Sequence, residues 1–205
     1  MKFYQLRSID NRNILYEGTF ANFAACLEQA VQDRVALDCV NLRNKNLMNA
    51  NLDDAIMPNA DFQNCNLSGA NMSEAYFKGA SFCGTTLYNT CFFDSNLTAC
   101  NFDSASFGAT DVHGSILNNS QFSTLSCFNL DFTNTRNMDG CIFINPDGRI
   151  CQMSKPPVVI RGMGKQIIVL LDNHAKIGHN VIDQKRLKPL AEKLSIRALK
   201  KHLAA

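Results

Sequence analysis

A mainly β solenoid is the fold class that these 205 residues predict, and three observations carry it. Large residues recur at every fifth position from Leu42 to Ile142, small residues stand two places before them, and turn-forming residues stand two places after them. The frame reads Leu42, Leu47, Leu52, Met57, Phe62, Leu67, Met72, Phe77, Phe82, Leu87, Phe92, Leu97, Phe102, Phe107, Val112, Leu117, Phe122, Cys127, Phe132, Asn137 and Ile142. Asn137 is its one plainly polar member. Five residues advance an α-helix by about 140° and carry a flat strand to its opposite face, so the backbone must bend once per repeat.

The small positions include Ala50, Ala55, Ala60, Cys65, Ala70, Ala75, Ala80, Thr85 and Thr90. On an extended segment they share a face with the large residues two places on, so both sets point inward. Asn49, Asp54, Asn59, Asn64, Gly69, Gly79, Gly84, Asn89 and Asp94 occupy the bend, and these are residue types that tolerate turn geometry. Short extended pieces with a corner after each one wind into coils that pair their backbones and bury a shared core.

The segments "ANLDD", "ADFQN", "CNLSG", "ANMSE", "CNFDS" and "ASFGA" make the chain resemble the pentapeptide-repeat family over roughly residues 40–142. The resemblance implies a right-handed quadrilateral β-helix, with four repeats to a coil. Residues twenty apart then stack, which places Phe62, Phe82, Phe102 and Phe122 in one internal column between Leu42 and Ile142. Leu125 and Leu130 at small positions, with Cys127 and Asn137 at large ones, predict that the last coil departs from this regular shape.

Three segments follow from the limits of the frame: 1–37, 38–144 and 145–205. In the first, an alternating stretch that turns at "DNRN" predicts a hairpin. Phe20, Phe23, Leu27, Ala30 and Val31 lie at helical spacing behind Thr19, read as the N-cap of a helix that closes the first coil. The third segment opens on the turn "NPDG" at 145–148. Beyond the prolines at 156 and 157, "VVIRG" and "KQIIVLLD" read as strands, with a third short piece at 174–177. From Asp183 onward, Leu187, Leu190, Leu194, Ala198 and Leu203 form a helical stripe, with Pro189 at a first-turn position.

Charge divides along the same lines. Residues 38–142 hold ten acids against four bases, a net charge of −6, whereas 143–205 hold twelve bases against four acids, or +8. Such asymmetry speaks of partners more than of fold. Nine single cysteines with no CxxC pair predict a reducing cytoplasm without a metal, and Cys65, Cys100 and Cys127 at inward positions read as small core residues. The apolar runs are too short to predict a membrane span, and the N-terminal residues lack an apolar signal core. His113, His174, His179 and His202 show no metal-ligand spacing, and nucleotide-loop and nucleophile-elbow motifs are absent, so the sequence predicts no enzyme and no cofactor.

Function is therefore sought on the outward positions. Asp53, Asp54, Glu74, Asp94, Asp111 and Asp131 gather on one of the four sides. Ile56, Tyr76, Asn96, Ile116 and Arg136 follow one another on the next, where apolar Ile56, Tyr76 and Ile116 replace the usual Asn or Asp and suggest a contact strip. Met48, Tyr88 and Phe128 also point outward in this reading. The expected role is a protein-binding scaffold. Quinolone-protection members of the family are similar rods that imitate duplex DNA and bind the type II topoisomerase DNA gyrase, with a bacterial or phage source as the corresponding expectation. This chain shares the acidic column, but it lacks their projecting loops and ends in a basic segment rather than a short dimer-forming helix. Two alternatives come from that segment: nucleic-acid binding through Lys185, Arg186, Lys188, Lys193, Arg197, Lys200 and Lys201, or a homodimeric adaptor.

Overall fold

The computed structural model describes residues 1–10, 12–163, 166–178, 180–183, 185 and 186. Strands β1 (Lys2–Arg7) and β2 (Ile14–Phe20) form an antiparallel hairpin, and helix α1 (Phe23–Gln32) follows. Asn22, rather than Thr19, caps the helix, its Oδ1 accepting from the Ala25 N–H at 2.8 Å. Thr19 is instead drawn into β2 opposite Phe3, because the strand runs on through Phe20. Cys26, Leu27 and Ala30 are buried from α1 into the core.

Hairpin and helix together cover the first coil. An antiparallel bridge joins Ser8 to Val40, and the Asn41 N–H donates to the Arg7 carbonyl at 2.8 Å. On another side of the coil, the Asn51 N–H donates to Glu28 Oε1 of α1 at 2.8 Å. A solenoid end exposes a row of unpaired backbone groups, and here a strand and a helical carboxylate take up two of them.

Parallel bridges then link Asn41 to Asp61, Asn46 to Asn66, Asn51 to Asn71 and Ile56 to Tyr76, so a coil is twenty residues long and has four pairing positions. Up to Phe122, four coil segments lengthen into strands, β3 (Thr86–Tyr88), β4 (Asn101–Phe102), β5 (Ser106–Gly108) and β6 (Gln121–Phe122). The repeat at 60–64 shows why five residues suffice. Ala60 N–H closes the preceding turn on the Met57 carbonyl, Asp61 donates to Val40 in the coil before, and Phe62 and Asn64 donate to Ser81 and Cys83 in the coil after. The remaining donor, Gln63 N–H, is taken by Asp61 Oδ1 at 3.0 Å. Every N–H of this repeat has an acceptor, and the last is supplied by the Asp or Asn immediately before the large residue. The same bond recurs from Asn46, Asn66, Asn71, Asn96 and Asn101.

Inside, Phe62, Phe82, Phe102 and Phe122 stack almost parallel, with centroids 4.9, 5.0 and 5.1 Å apart. Where the small inward residue is Thr or Cys rather than Ala, it hydrogen-bonds as well as fits. Thr85 and Thr90 hydroxyls donate to the carbonyls of Phe62 and Leu67 at 2.7 and 2.9 Å, and the Cys100 thiol reaches the Phe77 carbonyl at 3.1 Å. At the bends φ is positive, as at Asn59 (56°) and Gly79 (74°). Gly79 answers a second demand: a Cβ there would lie 2.4 Å from Asn59 Oδ1, which folds over the bend of the next coil.

The frame does not run unshifted to Ile142. Two 3-10 turns, Leu125–Asn129 and Phe132–Asn134, interrupt the last coil, and pairing resumes one residue late: Ile116 bridges to Asn137, and Phe122 pairs with Phe143. Leu125 is too large for the small column and stands 57% exposed. Met138 and Phe143 take the inward places read for Asn137 and Ile142, while Asn137 faces outward and its Oδ1 accepts from the Asp139 N–H at 2.8 Å. Phe128, read as outward, is instead buried against Phe143 with centroids 4.8 Å apart.

Strand β7 (Ile142–Ile144) turns through 145–148 into antiparallel β8 (Ile150–Gln152), which covers the far edge. A four-stranded antiparallel sheet follows, built from β9 (Val158–Met163), β10 (Gln166–Leu170), β11 (His174–Ile177) and β12 (Asn180–Asp183) in the order β12-β11-β10-β9. The last of these strands had no counterpart in the sequence reading. Val169, Leu171 and Val181 join the core of the coils, whereas Ile160, Ile168, Leu170 and Ala175 form a separate cluster. The stripe Leu187, Leu190, Leu194, Ala198 and Leu203, with Pro189, lies outside the described residues.

Two substitutions test this packing. Phe82→Ala removes the middle of the ring stack, and urea unfolding is expected to show a loss of about 3–5 kcal/mol. Gly79→Val puts a branched side chain at positive φ against Asn59, with an expected cost of about 1–3 kcal/mol. Adding Asn59→Gly should recover part of that loss; full additivity of the two changes would show that the contact is not its cause.

Candidate functional site

The six acids predicted to act together have different environments. Asp54, Glu74 and Asp94 occupy the same bend in three successive coils, at φ of 57°, 53° and 52°. Their N–H groups are tied to the next coil, at Ser73, Phe93 and His113, which leaves the carboxylates on the outer corner. Asp94 meets the guanidinium of Arg136 at 2.9 Å, so its charge is compensated. Asp111 and Asp131 hold turns, accepting from the N–H groups of His113 and Thr133 at 2.9 and 3.0 Å. Hydrogen bonds from Thr133, with a smaller contribution from His113, keep the Asp131 carboxyl below the usual range. Asp53, Asp54 and Glu74 remain exposed, with no hydrogen-bond or ion partner for their carboxylates among the described residues.

The apolar strip follows the bridges from Ile56 through Tyr76 and Asn96 to Ile116. Asn137 comes next in line, displacing the predicted Arg136 through the one-residue slip. Ile56 is 62% exposed and Tyr76 37%, while Ile116 is half-buried. Each gives up the side-chain acceptor that Asn would supply two residues on. At Ile56 nothing is lost, because position 58 is a proline without an N–H. Met48 and Tyr88 are exposed as read from the sequence.

Acid and strip meet at the N-terminal end. Asp53, Asp54 and Ile56 of the first coil, Val31 in the last turn of α1, and Arg34 and Val35 just beyond the helix line a groove of ≈ 540 Å³. In later coils the N–H at the Ile56 position donates backwards, as Tyr76 does to Ala55 at 2.8 Å. Ile56 itself has no such acceptor among the described residues, so its N–H is a free donor on the coil edge that faces α1. Arg34 and Val35 were not predicted as site residues. Val31 was read on the apolar stripe of α1, but no pattern in the chain shows that the stripe's end stops short of the coil.

Of the basic residues, Lys185 and Arg186 are exposed, and the Lys185 N–H donates to Asp183 Oδ1 at 2.8 Å. Lys188, Lys193, Arg197, Lys200 and Lys201 lie outside the described residues. No helix among the described residues is long and apolar enough to cross a membrane.

No curated protein matches the chain. A solved pentapeptide-repeat protein from the cyanobacterium Cyanothece 51142 is 19% identical, overlapping 52% of this chain and 82% of that one with a TM-score of 0.39. HetL of Nostoc sp. strain PCC 7120, a pentapeptide-repeat protein involved in heterocyst differentiation regulation, is 16% identical over 54% of this chain and 65% of its own, with a TM-score of 0.26. For QnrB1, a plasmid-mediated fluoroquinolone resistance protein, identity is 16%, the shares are 49% and 52%, and the TM-score is 0.33. The family model for pentapeptide repeats matches residues 34–69 and 60–98 with eight copies. By that match residues 34–98 are pentapeptide repeats, and coils of the same geometry continue them to Phe122.

Proposed function

We propose that this protein is a non-catalytic scaffold that binds a protein partner through the N-terminal end of its coils. The supporting observation is the groove in which two unpaired carboxylates, an exposed isoleucine and a free edge N–H stand beside the apolar end of α1. An extended segment can place a carbonyl on that N–H, an apolar side chain on Ile56 and a basic side chain against Asp53 and Asp54. Glu74 and Tyr76 continue the same surface one coil further on. In this reading the coils are a right-handed quadrilateral β-helix, 1–37 and 38–144 act as one binding unit, and 145–205 is a C-terminal module whose sheet packs on the far end of the coils. Nine unpaired thiols favour the cytoplasm as its setting.

In sharper form, the partner is an enzyme with a basic DNA track, such as a type II topoisomerase, met by an acidic surface in place of DNA. Asp53, Asp54 and Glu74 support that form, while the pairing of Asp94 with Arg136 shortens the acidic column. The +8 charge of residues 143–205 favours a second reading, direct nucleic-acid binding by that module.

The test is a comparison of the wild type with the triple reversal Asp53→Lys, Asp54→Lys and Glu74→Lys as crosslinking baits, alongside binding to purified gyrase at two salt concentrations. The reversed protein should fold normally, because all three side chains face solvent, and should lose the wild-type partner. Equal capture by both baits would sink the acid-led groove. A wild type that leaves gyrase unbound but retains another protein would remove only the topoisomerase form. Salt-dependent binding of duplex DNA that survives the reversal would support the second reading.

A further inference from the structure

We propose that the opposite end of the protein carries a second site, one that binds a small carboxylate with a compact apolar body. A crevice of ≈ 240 Å³ lies between the rod-facing side of the C-terminal sheet and the 3-10 turn Leu125–Asn129. Val159, Val169, Lys176 and Val181 stand side by side in register across β9, β10, β11 and β12, which puts Lys176 among apolar neighbours. Leu125 and Phe128 form the opposing wall, and Arg161 spans the opening by donating from Nη2 to Asn129 Oδ1 at 3.1 Å.

Charge is what distinguishes this crevice from an ordinary packing fault. Lys176 is only 2% exposed, and among the described residues it has no carboxylate within ion-pair distance. Its Nζ donates to Asn145 Oδ1 and lies 5.6 Å above the Phe143 ring. Desolvation lowers its hold on the proton, against a smaller opposite pull that includes Asp147, which lies beyond Asn145. A buried ammonium without a directly paired anion is costly, and removing it from water is offset only when a counter-charge and further hydrogen bonds are supplied at contact. Arg161 adds a second cation with donors in a fork that suits a carboxylate, and no acidic residue lines the crevice. A dianion would lose more hydration on entering walls of Leu, Phe and Val than the two cations return, which favours a monoanion. The volume falls below the roughly 300 Å³ at which drug-sized pockets begin, so the body must be compact: one aryl ring or a branched alkyl chain.

This site is independent of the protein-binding reading and is tested on the full chain. Hydrocinnamate is the probe, hydrocinnamyl alcohol and phenylpropylamine are its neutral and cationic counterparts, and isothermal calorimetry is the readout, with methyl shifts of Val169 and Leu125 locating the contact. Saturable binding of hydrocinnamate is expected, about tenfold or more tighter than the alcohol, with none for the amine. Arg161→Gln, at an exposed position, should weaken the carboxylate several-fold and leave the alcohol unchanged. Lys176→Met should abolish the preference for acid over alcohol, thermal melting confirming that the variant folds. Equal affinity for acid and alcohol would reduce the crevice to an apolar void. Absence of saturable binding, or an Arg161→Gln variant that binds the acid as the wild type does, would overturn the proposal outright.

Discussion

The satisfaction of five amide donors in a five-residue side is the constraint on which the rest of the structure depends, and it is met in full where Asn or Asp precedes the large residue. Of five N–H donors, three reach neighbouring coils, one closes the turn and one needs a side-chain oxygen at a single position. A buried or half-buried peptide donor left alone costs on the order of 1–3 kcal/mol, a large share of a domain's net stability when repeated over some twenty sides. The preference for Asn or Asp before the large residue comes from that accounting, and the bend adds a demand for a residue at ease at positive φ. Hydrophobic burial then follows, because the inward positions are set before any side chain is chosen.

Where the constraint relaxes, the surface acquires features of its own. At Ile56 an apolar side chain costs no donor because Pro58 has none, and the same residue carries an N–H that neither hairpin nor helix covers. At the far end, Leu125 cannot enter the small column, so the chain turns through 3-10 geometry and loses one residue of register. Phe128 is thereby folded inward onto Phe143, and a wall forms opposite Lys176. Both candidate sites thus lie at the limits of the repeat, one where the first coil lacks a predecessor and one where the last coil loses its frame.

The repeat, its twenty-residue stacking, the phenylalanine column, the hairpin, the helix and three strands of the terminal sheet were legible in the chain itself. They depend on patterns that recur within one side or from coil to coil, and a periodic structure writes its contacts into the sequence at fixed intervals. The slip was half legible: Leu125 and Leu130 marked the coil that would break, while the resumption at Met138 and Phe143, one place beyond Asn137 and Ile142, did not show. Either frame offers an apolar residue for most sides, and the choice depends on how the 3-10 turns spend their backbone donors.

Which acids are free was decided only in three dimensions. Asp54, Glu74 and Asp94 look equivalent by spacing, yet Arg136, forty-two residues along, neutralises the last of them, and Asp111 and Asp131 are turn-holders. The groove likewise joins the end of α1 to the first coil, and the crevice joins a sheet to a 3-10 turn; neither pair shares a period. Local amide chemistry repeats along this chain and can be read from it residue by residue. Contacts between unlike elements have no repeat to announce them, so the pairing of Asp94, the exposure of Ile56 beside α1 and the burial of Lys176 came from the tertiary structure alone.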